Sequence, residues 1–306
     1  MEKRYPRTVM ATACVPWDAS WRFDESMFRK GVRLLLDNRI RSIYLFGTAG
    51  EGYAVNREQY MEIVVAFVDE MKKVPDSMPM VGVISLSMSE IIERIELGMK
   101  LGVRDFQISF PSWGAVSAEE GVTFIKDVCT RFPAARFMHY NNGFRSKTRL
   151  AIEEYIRLAE DVPNLVAVKN PGPGISELHD FHSVELPIRF YNLEFAYGYA
   201  SMFSEPGLLI SYCNLHHGKA WEYFDAGIRR DFEKIIAFHG EFQILQNAVL
   251  SAAGTGKMDG SYDKLFVRAK IEGFSQRLLP PYEGCGEEVF ESFAAAVRER
   301  LPQWWP

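Results

Sequence analysis

The chain has 306 residues, 47% of them hydrophobic, with a formal charge of -5 and a pI of about 5.8. A chain of this size can bury a large core, and its acidic balance with scattered basic residues excludes the electrostatic footprint of a nucleic-acid or anionic-membrane binder. The cysteines Cys14, Cys129, Cys213 and Cys285 lie far apart with no CxxC, the pattern of reduced thiols, and the charged start Met1-Glu-Lys-Arg-Tyr-Pro-Arg7 leads into no apolar run of signal or membrane-spanning length, so a cytoplasmic protein is expected.

In chain order, apolar β-rich runs occur at 8–15, 42–46, 79–84, 105–110, 136–140, 165–169, 188–195 and 208–212, with stretches of helical spacing between them. Three of those stretches open on capping signatures: Asn56 with Gln59, Ser87 with Glu90, and Ser117 with Glu120. Strands alternating with helices predict parallel βαβ units, and eight strands are the number that closes an α/β (β/α)8 TIM barrel, a doubly wound open sheet being the alternative. After the eighth run only helical segments follow, at 221–226, 231–252, 262–276 and 287–301. The expected organisation is therefore a barrel over 1–216 and a C-terminal helical bundle over 217–306. Gly254-Thr-Gly-Lys257 lacks the first glycine and the final Ser/Thr of a phosphate loop and reads, like 279–284, as a connection.

The residues that finish barrel strands are the candidates for chemistry. The sixth run, Leu165-Val-Ala-Val-Lys169, is apolar up to a lysine and stops at a Pro/Gly cluster. Such a lysine either swings outward into water or stays desolvated, and desolvation favours the neutral amine that condenses with a ketone. The second run finishes in Gly47-Thr-Ala-Gly-Glu-Gly52, either a tight turn or a cradle of backbone N–H groups with the Thr48 hydroxyl beside it. The fifth finishes in His139-Tyr-Asn-Asn-Gly-Phe-Arg145, which supplies a phenol to move protons and a guanidinium to grip a carboxylate. An amine, a phenol, a hydroxyl-bearing turn and an arginine at strand ends suit Schiff-base chemistry on a 2-oxo acid. His216-His217 and the His179/His182 pair lack accompanying acids or cysteines and predict no metal site. Asp24 reads as a helix cap, His139 as a core or supporting histidine, and Trp304-Trp305 as packing.

On these motifs the chain resembles the dihydrodipicolinate synthase/N-acetylneuraminate lyase family of class I aldolase-like enzymes. The likeness runs from Val15-Pro-Trp-Asp18 and Asp24 through the helical tail and rests on the 47–51 stretch, Tyr140, Asn141, Arg145 and Lys169. It implies that Lys169 forms the imine, that Tyr140 is the adjacent general acid/base, and that Thr48 belongs to the proton relay and carboxylate pocket, with Arg145 contacting a substrate carboxylate. It also implies a homo-oligomer, dimer or tetramer, that binds a small-molecule 2-oxo acid and an aldehyde with neither cofactor nor metal. Where the family carries a second hydroxyl, Ala49 stands here, leaving backbone donors to meet the carboxylate. Trp113 replaces the synthases' relay tyrosines, and Gly198-Tyr-Ala-Ser201 lacks the acids of the sialic acid lyases, whereas Ser211 and Asn214 match a Ser-x-x-Asn of the lyases. These departures point to a lyase that is neither a true dihydrodipicolinate synthase nor a sialic acid lyase. A 2-oxo sugar acid dehydratase using the same imine, or a catalytically impaired small-acid binder, are the alternatives.

Overall fold

The computed structural model describes residues 1–170 and 174–306; the expected break at Pro171-Gly172-Pro173 lies outside the described residues. Eight parallel strands close into a barrel in chain order, a (β/α)8 fold. The strands are β1 (Val9–Thr12), β2 (Ser42–Leu45), β3 (Met78–Gly82), β4 (Asp105–Ile108), β5 (Arg136–Tyr140), β6 (Leu165–Asn170), β7 (Arg189–Asn192) and β8 (Gly207–Leu209). The helices alternating with them are α1 (Glu25–Asp37), α2 (Arg57–Met71), α3 (Met88–Lys100), α4 (Ala118–Arg131), α5 (Gly143–Ser146), α6 (Ile152–Asp161), α7 (Ile175–Ser183) and α8 (Glu194–Phe203). After β8 come a 3-10 turn, Ser211–Asn214, and α9 (His217–Arg229), α10 (Phe232–Ala253), α11 (Asp259–Lys270) and α12 (Glu287–Arg300).

The sequence signals act where expected at most element starts. Asn56 and Ser117 each close a reciprocal capping box, Ser87 accepts from the Glu90 N–H, and Asp24 accepts from Met27 N–H. Several expected elements run differently, among them the short helix expected over 221–226, which spans His217–Arg229. The seventh strand stops at Asn192, because Leu193 caps a helix that takes up Phe195, although aromatic residues continue past the strand end. The helix expected over 262–276 ends at Lys270, since Gly273 adopts a left-handed φ of 76° that breaks helical continuation. Among the described residues no helix is long and apolar enough to cross a membrane.

By contact the chain forms two compact units. One comprises Met1–Thr8 and Pro79–Leu209. In it β4 to β7 pair in succession, with one register shift on β5 between Phe137 and Met138, and the start of the chain packs at the strands' amino ends: Arg189 donates to the Tyr5 carbonyl at 2.8 Å, and the Tyr191 hydroxyl donates to the Pro6 carbonyl at 2.7 Å. There the buried Asp105 accepts both arms of Arg136 at 2.7 Å and the Tyr5 hydroxyl at 3.1 Å. The other unit comprises Val9–Met78 and Ile210–Pro306. It contains β1, β2, α1, α2 and α9–α12, with Tyr212, Tyr223, Phe238, Phe242 and Trp304 forming one aromatic cluster. Trp304 Nε1 donates to Glu241 at 2.7 Å, so the expected packing role of this indole includes a polar anchor.

Removing the Asp105 carboxylate strands a buried phenol and half of a guanidinium's partners. Asp105→Ala is expected to lower the unfolding free energy by about 2–4 kcal/mol, the lower part of the range for breaking a buried pair because Arg136 remains partly solvated. Urea denaturation checks this, with Tyr5→Phe expected to cost about 1 kcal/mol.

Candidate active site

Lys169 is the fifth residue of the six in β6, all of them buried. Its Cα pairs in register with Tyr140 of β5 and with Tyr191 of β7. Partners in register on parallel strands project to the same face, so the amine and the two phenols share one side of the sheet. The Lys169 Nζ lies 3.9 Å from the centroid of the Tyr140 ring, and the residue is only 7% exposed. Of the two sequence readings, the structure adopts the inward one. The ring face offers a cation partial compensation for lost water.

Several contacts hold this pair in place. The Asn141 N–H donates to the Lys169 carbonyl at 3.0 Å, and the Asn141 side chain exchanges two hydrogen bonds of 2.9 Å with the backbone of Leu150. Asn170, next to the lysine and facing the opposite way, accepts from Arg149 at 3.1 Å, and Arg149 also pairs with Glu177 of α7 at 2.5 Å. Arg149 escaped the sequence reading because nothing in its neighbourhood distinguishes it from a surface arginine.

His139 faces away from Tyr140, as strand alternation requires. It is fully buried against Phe110, with ring centroids 4.5 Å apart, and its Nδ1 shares a 2.6 Å hydrogen bond with the Tyr155 hydroxyl. Burial pushes its pKa down to about 3. It is thus a neutral core histidine behind the strand.

Arg145 lies in α5, its guanidinium 5.1 Å from the Phe144 ring centroid and its N–H donating to Asn142 Oδ1 at 3.2 Å. Trp113 is 84% exposed and Phe144 85%. Lys147 Nζ donates to the Trp113 carbonyl at 3.3 Å and Thr148 to the Val116 carbonyl at 2.5 Å, tying together the segments that carry the two rings. Gly198 is buried within α8. Arg145, Trp113 and Gly198 thus follow β5, β4 and β7, in the unit that holds Lys169 and Tyr140.

In the other unit the turn after β2 carries Thr48 and Ala49, both buried. Phe46 and Glu51 bracket it with left-handed φ of 61° and 59°, a conformation that costs an ordinary residue about 1–2 kcal/mol. Gly52 is required by close approach, since a Cβ there would lie 2.3 Å from the Phe46 carbonyl oxygen. The strain at Glu51 is offset by its fully buried carboxylate, which accepts from Trp17 Nε1 at 3.0 Å, Lys264 Nζ at 2.5 Å and the Leu279 N–H at 2.7 Å. Burial lowers the Lys264 amine, and the charge of Glu51 opposes that shift. Ser211 opens the 3-10 turn after β8, and Asn214 at its end donates to the Thr12 carbonyl at 3.0 Å, so this amide braces β1. Among the described residues no group of three or more His, Cys, Asp or Glu is placed to hold a metal; His179 lies 3.6 Å from Asp180, and His182 bonds Ser204 at 2.6 Å.

Fold and site define a (β/α)8 barrel with a buried lysine under a tyrosine ring near the carboxyl end of its sixth strand. The chain belongs to the dihydrodipicolinate synthetase family, whose defining pattern matches residues 5–183. It is 25% identical over 169 residues to a 4-hydroxy-tetrahydrodipicolinate synthase from Syntrophotalea carbinolica, covering 55% of this chain and 56% of that protein. It is 29% identical over 164 residues to a trans-2'-carboxybenzalpyruvate hydratase-aldolase from a Nocardioides species, covering 53% and 46%. The chain thus spans about half the length of the relatives it matches in sequence. In fold it resembles the crystal structure of a dihydrodipicolinate synthase from Thermotoga maritima, with a TM-score of 0.82, 19% identity, and coverage of 96% of this chain and 98% of that one.

His139 provides a pH test of the site's surroundings. An unfolded histidine titrates near 6.5, whereas His139 in the fold stays neutral to about 3. Its contribution to stability is therefore fully present above pH about 6.5 and is lost as pH falls toward 3, at up to about 1.4 kcal/mol per pH unit. His182 and His217, both lowered to about 4 by burial, act in the same direction. Unfolding free energy is expected to drop between pH 7 and 5, and the drop is expected to shrink by about 2 kcal/mol in His139→Phe. Urea titrations of both proteins across that range check it.

Proposed function

We propose that the chain is a Schiff-base-forming lyase or aldolase that makes or cleaves a carbon–carbon bond in pyruvate or a related 2-oxo acid. The observation that carries this reading is the buried Lys169 amine against the Tyr140 ring at 3.9 Å. The neutral amine adds to the ketone carbon, the carbinolamine loses its hydroxyl as water, and Tyr140 passes the proton that this loss requires. The resulting imine draws electrons from the adjacent carbon. In the cleavage direction that carbon's bond to the aldehyde fragment breaks, and in the other direction the enamine attacks an aldehyde. Thr48 and the backbone around Ala49 take the carboxylate in the role the family pattern implies, and Arg145 meets a second anionic group. The same reading assigns Gly198, Ser211, Asn214 and Trp113 to the substrate's variable end. It includes a cytoplasmic homo-oligomer, with a barrel over 1–216 and a helical extension over 217–306.

The loss of the relay phenol at Trp113 and of the acids at 198–201 argues against lysine-precursor synthesis and sialic acid cleavage. A second reading retains the imine and adds or removes water at the neighbouring carbon. It is favoured by the exposed rings of Trp113 and Phe144, which offer an apolar surface for an aryl-bearing 2-oxo acid, and by the relative named a hydratase-aldolase. Product analysis separates the two, because only carbon–carbon cleavage releases an aldehyde together with pyruvate.

Intact mass after incubation with pyruvate and borohydride is expected to show one irreversible adduct, absent in Lys169→Ala. A wild-type protein that forms no adduct with pyruvate or longer 2-oxo acids would leave only the small-acid binder. Tyr140→Phe is expected to slow adduct formation by about 10²–10⁴-fold. Arg145→Ala is expected to weaken binding of a dicarboxylic 2-oxo acid by about 1.5–3 kcal/mol, read from the concentration dependence of trapping.

A further inference from the structure

The turn that follows β2 carries three consecutive backbone N–H groups, those of Thr48, Ala49 and Gly50, that donate to no acceptor among the described residues. Adjacent N–H groups left unpaired in a buried turn form a concavity that favours an anion. With alanine rather than a hydroxyl residue at 49, these donors carry more of the contact to a carboxylate. A hydroxyl can rotate to follow an anion. A backbone N–H cannot, so its direction must be set by whatever holds the turn.

What holds it comes from the far end of the sequence. Lys264 of α11 is fully buried, 213 residues from Glu51, and bonds its carboxylate at 2.5 Å while also donating to the Arg277 carbonyl. One turn earlier in the same helix, Gly260 lies against the turn itself, where a Cβ would come within 2.9 Å of the Ala49 carbonyl oxygen. The helix therefore contacts the turn twice: through charge at Glu51, whose left-handed backbone fixes one end, and through contact at Ala49. Trp17 Nε1 and the Leu279 N–H complete the carboxylate's partners, leaving Glu51 little freedom to turn over.

From this arrangement we infer that α11 is part of the substrate-recognition apparatus: Lys264 and Gly260 are positioning residues that hold the Thr48–Gly50 backbone in the geometry that receives the carboxylate of a 2-oxo acid. The inference rests on the proposed imine reaction for its ligand. Its mechanical half, that α11 holds the turn, stands on the geometry alone. Neither residue touches the reacting carbon, so their loss acts on affinity for the acid and leaves the amine chemistry at Lys169 in place.

The test uses the full chain with Lys264→Met, Gly260→Ala and the double variant Glu51→Gln/Lys264→Met. Borohydride trapping at graded pyruvate gives a half-saturating concentration and a maximal trapping rate. Hydrogen exchange of the peptide covering 46–52, without ligand, reports the turn. Lys264→Met and Gly260→Ala are expected to raise half-saturating pyruvate by about 10–100-fold with the maximal rate within about twofold of wild type, and to speed exchange at 46–52 by at least about tenfold. The double variant, which no longer buries an unpaired carboxylate, is expected to regain much of the melting temperature lost in Lys264→Met without regaining affinity. A merely structural pair would show affinity returning with stability. Unchanged half-saturation and unchanged exchange in a folded Gly260→Ala or Lys264→Met protein would overturn the inference. If the wild-type protein forms no adduct, the imine reading fails separately, and the exchange measurement still decides whether α11 holds the turn.

Discussion

An amine kept out of water must be compensated by its surroundings, and the strands around β6 are arranged to do that for Lys169. Register places it beside Tyr140, so that the ring face supplies the compensation. The quadrupole of a phenol ring attracts a cation at its face, and the same residue sets a hydroxyl on the strand next to the amine. Everything attached to the strand tip keeps that register from slipping: Asn141 donates to the Lys169 carbonyl, and Asn170 on the other face is held by Arg149 and, through it, by Glu177. A one-residue slip of β5 would bring His139 to that face in place of Tyr140, and a slip of β6 would turn Lys169 away from it.

The turn after β2 answers a different constraint. The tight connection that leaves the Thr48, Ala49 and Gly50 N–H groups unpaired among the described residues passes through left-handed conformations at Phe46 and Glu51. Neither residue favours them, and a glycine at 51 would relieve the strain without holding anything. Glu51 converts the strained position into an anchor because its carboxylate is fully buried and fully partnered. The ion pair with Lys264 contributes little net stability once desolvation is counted, yet removing one member leaves a buried charge. Its effect is thus on which conformation is populated rather than on how stable the fold is.

Much of this was legible in the sequence because it is local. Runs of apolar β-branched residues mark the strands, Asn56 and Ser117 mark helix starts, and Lys169 stands out as the one charge closing an apolar run. Local signals misled where two elements share a residue type: aromatic residues suit strand and helix alike, so the seventh run extended past Asn192 into α8. What stayed hidden depends on contacts far apart in the chain. Lys264 looks like any lysine in an amphipathic helix, and only the fold brings it to Glu51. Arg149 looks like Arg145 four residues earlier, and only the fold sends one to Asn170 and the other over Phe144. Asn214 likewise donates to the Thr12 carbonyl, 202 residues away, a contact that no local pattern announces.

Burial separates the candidate residues into two kinds. Lys169 and Tyr140 are buried on paired strands inside a hydrogen-bonded frame, and substitution there would disturb register and packing together. Trp113 and Phe144 project from segments beyond the strands, where a new side chain displaces only water. Ala49 lies between these cases: it is buried in the turn but has too little side chain to bind anything itself. A buried substitution that removes a hydroxyl without removing the cradle shifts recognition onto the backbone, and recognition by backbone is only as selective as the packing that aims it. In this chain the packing around Ala49 includes Gly260 of α11 and the buried pair Glu51–Lys264, so a helix late in the sequence sets the conformation of a turn near its start.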